Sequence, residues 1–202
     1  MKPNRRLAIA GTVLAGALGA TGCLPLAATG VGVAAMAALD RRTIGAQTED
    51  TEIELRAGGR LRDVKGAEGV TVTSYNRRVL LTGQVSDDRA KAEAVRVVRL
   101  VQGVREVHDE TEVGMRPALS TTAIDTGITT RVMANYVNER ALSVNAVKAV
   151  TDGGVVYLMG LVTRREGPAY ARVASQVSGV RRVVTLFEYI SDEELERLNS
   201  RR

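Results

Sequence analysis

The chain has one cysteine, one histidine and no tryptophan among its 202 residues. Each shortage closes off a class of chemistry. A lone cysteine has no partner for an intrachain disulfide, so cross-links add nothing to stability. One cysteine and one histidine cannot assemble a Cys/His zinc cluster. One phenylalanine and five tyrosines are the whole aromatic content, so the cores must be built from Val, Leu, Ile and Ala. No cofactor and no metal is expected. Catalytic constellations are also missing. His108 precedes Asp109 and Glu110 in a stretch that reads as a strand, where adjacent side chains face opposite ways and make no obvious acid–base pair. No Ser/His/Asp order, phosphate loop or carboxylate pair in a defined cleft is found. Gly58-Gly59 and Gly153-Gly154 read as turn or helix-weakening features, not as a dinucleotide fingerprint. The protein is read as a non-enzyme.

What is present starts at the N-terminus. Lys2, Arg5 and Arg6 precede an apolar run from Leu7 to about Gly19, and the small residues Ala20-Thr21-Gly22 lead into Cys23. This is the layout of a secretion signal. A cysteine directly after small residues resembles a lipobox, in which the thiol is acylated and Cys23 becomes the first mature residue. Ala20 stands where a leucine is usual. The competing reading is a membrane-spanning helix from Leu7 to Leu39, since residues 24–39 alone fall short of the roughly 20 apolar residues a span needs. Pro25 and the glycines make residues 24–39 a weak helix, read as a flexible tether closed by Asp40-Arg41-Arg42. Arg5-Arg6 lacks the flanks of a twin-arginine signal and reads as an ordinary basic start. Leu24, not aspartate, follows Cys23, so the common inner-membrane retention signal is missing.

The formal net charge of +5 falls to +2 once Lys2, Arg5 and Arg6 leave with residues 1–22. Residues 49–115 carry 11 basic and 13 acidic side chains, and residues 123–190 carry 8 and 5. An anionic surface would therefore be met by the second half. No nucleic-acid partner is expected.

That division follows an internal repeat. Val79-Leu80-Leu81-Thr82-Gly83-Gln84-Val85 matches Val156-Tyr157-Leu158-Met159-Gly160-Leu161-Val162, and Gly103-Val104-Arg105-Glu106-Val107 matches Gly179-Val180-Arg181-Arg182-Val183. Each copy reads as helix, two strands, helix, strand. The helices are expected at 48–62 and 87–102, then 123–138 and 164–178. The strands are expected at 70–75, 78–85 and 104–114, then 144–151, 154–162 and 180–190. Tight turns are placed at Asn76-Arg77 and Asp152-Gly153. Ser86 with Asp87-Asp88, and Thr163, suit helix starts; Gly103 and Gly179 suit helix ends. The fold class is α+β, two tandem αββαβ units with helices on one sheet face. The expected division is signal 1–22, lipidated N-terminus and tether 23–47, first domain 48–115, linker 116–122, second domain 123–190 and tail 191–202, the tail forming a short exposed helix.

The αββαβ pair, with its Val-x-Leu-x-Gly-x-Val strand and Gly-Val-x-x-Val exit, resembles two BON domains. Ile128-Thr129-Thr130-Arg131-Val132-Met133 sits where the family has Ile-Thr-Thr-Lys-Val, and Val156 to Arg165 matches its signature strand and helix start. Asp40-Arg41-Arg42-Thr43-Ile44-Gly45-Ala46-Gln47 resembles its Asp-x-Arg-x-x-Gly-x-Gln segment. With Cys23 upstream, the chain looks like the dual-BON lipoproteins of the outer membrane. That resemblance implies a lipid-anchored protein on the periplasmic face. It implies binding of anionic phospholipid, phosphatidylglycerol or cardiolipin, through the first helix of the second domain. It further implies a part in envelope integrity and stress response, accumulation at division sites and links to the outer-membrane assembly machinery. One departure is Gly127, where the family reference has tryptophan.

Within that helix, Ile128, Arg131, Val132, Met133, Tyr136 and Val137, with Arg140 just beyond, are the candidate phospholipid-binding residues. Ile124, Ile128 and Val132 share one spacing, with Met133, Tyr136 and Val137 beside them, a stripe wider than one sheet contact needs. The surplus is expected to enter lipid, with Arg131 and Arg140 near headgroup phosphates; the alternative is that the whole stripe is core or domain interface. At the level of function, two alternatives stay open. One is a protein-interaction scaffold tied to the assembly machinery without direct lipid recognition. The other is a hydrolase accessory with an unrecognised site.

Overall fold

The computed structural model describes residues 40–114 and 119–200, without the side chains of Leu119 and Ser120. The expected signal, Cys23 and the stretch 24–39 lie outside the described residues, as do 116–118 of the expected linker; residues 119–122, also expected as linker, belong to the helix that was expected to start at 123. Helix α1 (Ile44–Leu61) leads into the hairpin β1 (Gly69–Tyr75) and β2 (Arg78–Val85), then helix α2 (Asp88–Arg99) and the short strands β3 (Glu106–Asp109) and β4 (Glu112–Val113). The pattern repeats as α3 (Leu119–Asn138), a 3-10 turn, β5 (Val147–Asp152), β6 (Val155–Val162), α4 (Glu166–Ser175) and β7 (Arg182–Tyr189), with a final helix α5 (Asp192–Ser200). In each sheet the first two strands are antiparallel, and the last strand returns parallel to the middle one.

Local chemistry sets the helix starts. Thr43 Oγ1 accepts the Ala46 N–H at 3.1 Å, and Asp87 Oδ1 accepts the Ala90 N–H at 2.8 Å. Thr163 and Glu166 form a reciprocal capping box, 2.8 Å from Thr163 N to Glu166 Oε2 and 3.3 Å from Glu166 N to Thr163 Oγ1. Each sheet buries one face under its helices. Ile53, Ala57 and Leu61 of α1 and Ala90, Ala94 and Val98 of α2 close over Val79, Leu81 and Val85. Ile128, Val132 and Tyr136 of α3, with Tyr170, Val173 and Ala174 of α4, close over Val156, Leu158 and Val162.

The other faces of the two sheets meet each other. Tyr75 and Leu80 from the first sheet pack with Tyr157, Met159 and Leu161 from the second, so helices lie outside and sheets inside. This explains why β6 reads as an unbroken apolar run: both of its faces are buried. Polar contacts also cross between the two units. Tyr75 ends β1 and its hydroxyl donates to Ala146 O at 3.1 Å. Asp152 ends β5 and its Oδ2 accepts the Gly83 N–H at 2.9 Å. Arg78 Nη1 donates to Leu186 O at 3.2 Å, and Lys148 pairs with Glu54 at 2.8 Å.

The structure departs from the sequence expectation in three places. Helix α1 begins at Ile44, and Asp40–Arg42, expected to close a flexible tether, are docked against the fold. The second hairpin turns at Gly153-Gly154, one residue later than expected, because both turn residues take positive φ, 54° and 76°. The first turns at Asn76-Arg77 as expected, even though Arg77 sits at φ 67°, held by hydrogen bonds described below. The last strand of the first repeat is split, because Thr111 turns its N–H and hydroxyl onto Asp109 Oδ1 at 3.1 and 2.6 Å instead of continuing the ladder.

The signature glycines follow from close backbone approach. A Cβ at Gly83 would overlap the carbonyl oxygen of Gly69, at φ +100°, and one at Gly160 would lie 2.6 Å from Ala146 O. Gly83→Ala is expected to cost about 2–4 kcal/mol, combining overlap with positive-φ strain, and Gly160→Ala about 1–3 kcal/mol. Urea unfolding of the two variants checks the order; equal stability to the parent would contradict it.

Candidate functional site

Helix α3 is amphipathic in an unusual sense: its outer side is nearly uncharged. Its two ionisable charged residues are Asp125 and Arg131. Asp125 is buried, and its carboxylate accepts the N–H groups of Gly153 and Gly154 at 2.9 and 2.8 Å. It fastens the hairpin turn to the helix. Asp50 does the same in the first repeat, accepting from Asn76 N, Arg77 N and Ser74 Oγ at 2.7–2.8 Å. These bonds hold Arg77 in its left-handed conformation. With Asp125 turned inward, the exposed side of α3 presents Ala123, Ile124, Thr126, Thr130, Ala134 and Val137, with Arg131 as its one charge. Helix α1 differs, since Glu49, Glu52, Glu54, Arg56 and Arg60 punctuate its surface.

The structure divides the sequence-predicted residues into two groups. Ile128, Val132 and Tyr136 are core residues, 1, 0 and 0 % exposed. The Tyr136 ring meets Tyr170 edge-on at 5.1 Å, its hydroxyl donates to Tyr170 O at 3.0 Å, and burial pushes its pKa up. The expectation that these three form a lipid surface is corrected by their i, i+4, i+8 spacing, which turns them all onto β6 and α4. Met133 is half-buried against the same core. Arg131, Val137 and Arg140 are at the surface, Val137 at 66 % exposure, and Ile124 is 62 % exposed beside them. Arg131 bends back over Gly127 and donates to Ser178 O at 3.2 Å. Arg140 makes no ion pair among the described residues. Cys23 lies outside the described residues.

The docked N-terminal segment supports this domain. Arg41, 6 % exposed, donates to Leu161 O at 2.7 Å and grips Glu166 with both Nη atoms at 2.9 and 2.6 Å. Arg42 turns to the first domain. It forks onto Asp40, donates to Asp50 Oδ2 at 2.7 Å and stacks 4.0 Å from the Tyr75 ring centroid. Sequence reasoning missed this clamp; its only signal was the adjacency of two arginines and an aspartate. Burial raises the Glu166 pKa, but the Arg41 hydrogen bonds and the Thr163 N–H more than reverse that, leaving it below the ordinary glutamate value. His108, for which the sequence offered no acid–base partner, is mostly covered at the first sheet's edge, 3.0 Å from Arg78 Nη2 and 3.3 Å from Glu106. Burial first, and Arg78 with it, holds His108 below the ordinary histidine value against the pull of Glu106. Among the described residues no cluster of His, Cys, Asp and Glu is arranged to hold a metal, and no helix is long and apolar enough to cross a membrane.

The BON domain family model matches residues 49–115 and 124–191, one match for each αββαβ unit. The chain belongs to the BON-domain family. Outer membrane lipoprotein DolP of Haemophilus influenzae is 32 % identical over 193 residues, 94 % of this chain and 98 % of that protein. A 21 kDa hemolysin of Actinobacillus pleuropneumoniae is 29 % identical over 155 residues, 75 % of this chain and 80 % of that protein. The resemblance drawn from the repeat motifs is thus established for the family and for the dual-BON, DolP-like organisation.

Two outcomes are expected from the BON-domain supports. Asp50→Ala leaves two turn N–H groups and the buried Ser74 hydroxyl without their acceptor and takes from Arg42 one of its two carboxylates, and is expected to cost about 3–5 kcal/mol, more than Asp125→Ala, which strands two turn N–H groups alone. Denaturant midpoints test the order. The lowered Glu166 pKa stabilises the fold fully above 4.5, and that contribution is lost as pH falls through the folded value. Glu166→Gln is therefore expected to unfold with a shallower acid dependence than the parent; an identical acid limb would remove Arg41–Glu166 as its source.

Proposed function

We propose that the protein is a lipid-anchored component of the periplasmic face of the outer membrane. In this proposal it docks on anionic phospholipid, phosphatidylglycerol or cardiolipin, through the outward side of α3, and it is not an enzyme. The observation that carries this reading is that the only acid of α3 is turned inward, leaving Ile124, Val137 and Arg131 without a neighbouring negative charge on that helix. A bilayer of negative surface potential repels acidic faces and favours this one. Arg140 adds a second cation at the end of the helix.

The energetics divide between anchor and domain. One basic residue near an anionic surface is worth about 1 kcal/mol, too little to hold a protein on the membrane by itself. Acylation of Cys23 with more than one chain would supply stable attachment, since two membrane signals already suffice. The domain then acts at high local concentration and selects which lipid patch the protein occupies. The identity with outer membrane lipoprotein DolP supports the outer-membrane address; a role in envelope integrity, enrichment at division sites and contact with the outer-membrane assembly machinery are further parts of this proposal.

Vesicle co-sedimentation of the chain from residue 23 with Cys23→Ser tests the docking. Vesicles containing phosphatidylglycerol or cardiolipin are expected to retain it over phosphatidylcholine vesicles; equal retention would favour the scaffold alternative. Ile124→Glu with Val137→Glu is expected to abolish the preference with the fold intact, whereas Val132→Glu should unfold the second domain. Arg131→Gln should weaken binding about fivefold. The mass of the mature N-terminal peptide tests acylation of Cys23 against a retained membrane helix.

A further inference from the structure

We propose that the cleft between the start of α4 and the start of α5 binds a phosphate–ammonium zwitterion of the phosphoethanolamine type, presented by a phospholipid headgroup. The cleft has a volume of about 410 Å³. Arg164 and Arg165 form one wall; Tyr189, Asp192 and Glu193 form the other. The Arg164 guanidinium lies over the Tyr189 ring, 5.3 Å from its centroid. Among the described residues neither arginine makes an ion pair, and neither pairs with the two acids that share the cleft.

The charge balance selects the ligand. Two guanidiniums and two carboxylates line the cleft, so a simple anion meets two carboxylates and a simple cation meets two guanidiniums. A ligand carrying both charges a few ångströms apart satisfies both walls. Guanidinium groups match phosphate oxygens in a bidentate fork. A primary ammonium can donate to Asp192 and to Glu193, whose carboxylate also accepts from the Ser191 side chain and feels the charge of Arg197. The volume is at the small end for organic ligands, and the open mouth admits a group still attached to a glycerol backbone.

The position of the cleft points to a membrane source. Arg41 bonds to Leu161 O and Glu166, on either side of the Thr163–Arg165 wall, so the chain arriving from Cys23 joins the fold next to the cleft. Only the membrane source rests on the anchoring proposed above; the binding chemistry is independent of it and of α3.

The test is an amide-resolved NMR titration of the chain from residue 23 with Cys23→Ser, using glycerophosphoethanolamine, glycerophosphocholine and inorganic phosphate. Glycerophosphoethanolamine is expected to give saturable shifts at Arg164, Arg165 and Ser191–Glu193, stronger than the choline analogue, whose quaternary nitrogen cannot donate to the carboxylates. Arg164→Gln with Arg165→Gln should abolish the response to every phosphate. Asp192→Asn with Glu193→Gln should weaken the zwitterion while leaving or strengthening inorganic phosphate. Ile124→Glu with Val137→Glu should leave the titration unchanged, so failure of the α3 proposal does not touch this one. No saturable shift at these amides, or equal response to phosphate and zwitterion, overturns the site. Binding of the soluble headgroup without broadening of the same amides by phosphatidylethanolamine vesicles overturns the membrane source.

Discussion

Burial of β2 and β6 on both faces is the constraint on which the rest depends. A single αββαβ unit covers one side of its sheet with helices and leaves the other side apolar, and a unit of this size has little core with which to tolerate that exposure. Stacking the two units sheet against sheet removes both exposed faces at once. Leu80 from one strand and Met159 from the other end as buried as any core residue. The aromatic shortage makes this arrangement more necessary, because aliphatic side chains bury less area apiece.

The sheet interface also determines what the helices are free to do. With both sheets turned inward, all four flanking helices face outward. Their polar faces become the surface of the molecule. Charge sets the two leading helices apart, since α1 is studded with ionisable groups while α3 has sequestered its one acid in a turn. The clamp of Arg41 and Arg42 ties the same interface to the incoming chain, since one arginine grips each domain. The docked Asp40–Arg42 segment, the α3 surface and the α4–α5 cleft are thereby held on one folded frame.

Legibility differed between fold and site for a physical reason. The repeat, the strand glycines and the two hairpins, the second to within one residue, were readable because each answers to local backbone geometry. Thr163 as a cap and Gly179 as a stop belong to the same class. Asp50 and Asp125 could have been recognised as a repeated pair, as they fall 75 residues apart, but nothing local marks an aspartate as buried. The α3 stripe failed for a related reason. Ile128, Val132, Tyr136 and Val137 all read as apolar, and only the placement of α4 and β6 shows that the first three are consumed by the core while Val137 is left over.

The sequence by itself determined the two αββαβ units, their α+β class and family, the basic balance of the second half and the cysteine placed behind an apolar leader. The family follows from the resemblance of the strand and exit motifs, and the rest from periodicity, spacing and composition, which act over a few residues at a time. Tertiary structure decided which apolar residues are spare, that Asp40–Arg42 fasten the domains together, and that four charges gather around one cleft. Those outcomes depend on contacts between residues as far apart as Arg41 and Glu166, whose relation no short-range pattern encodes.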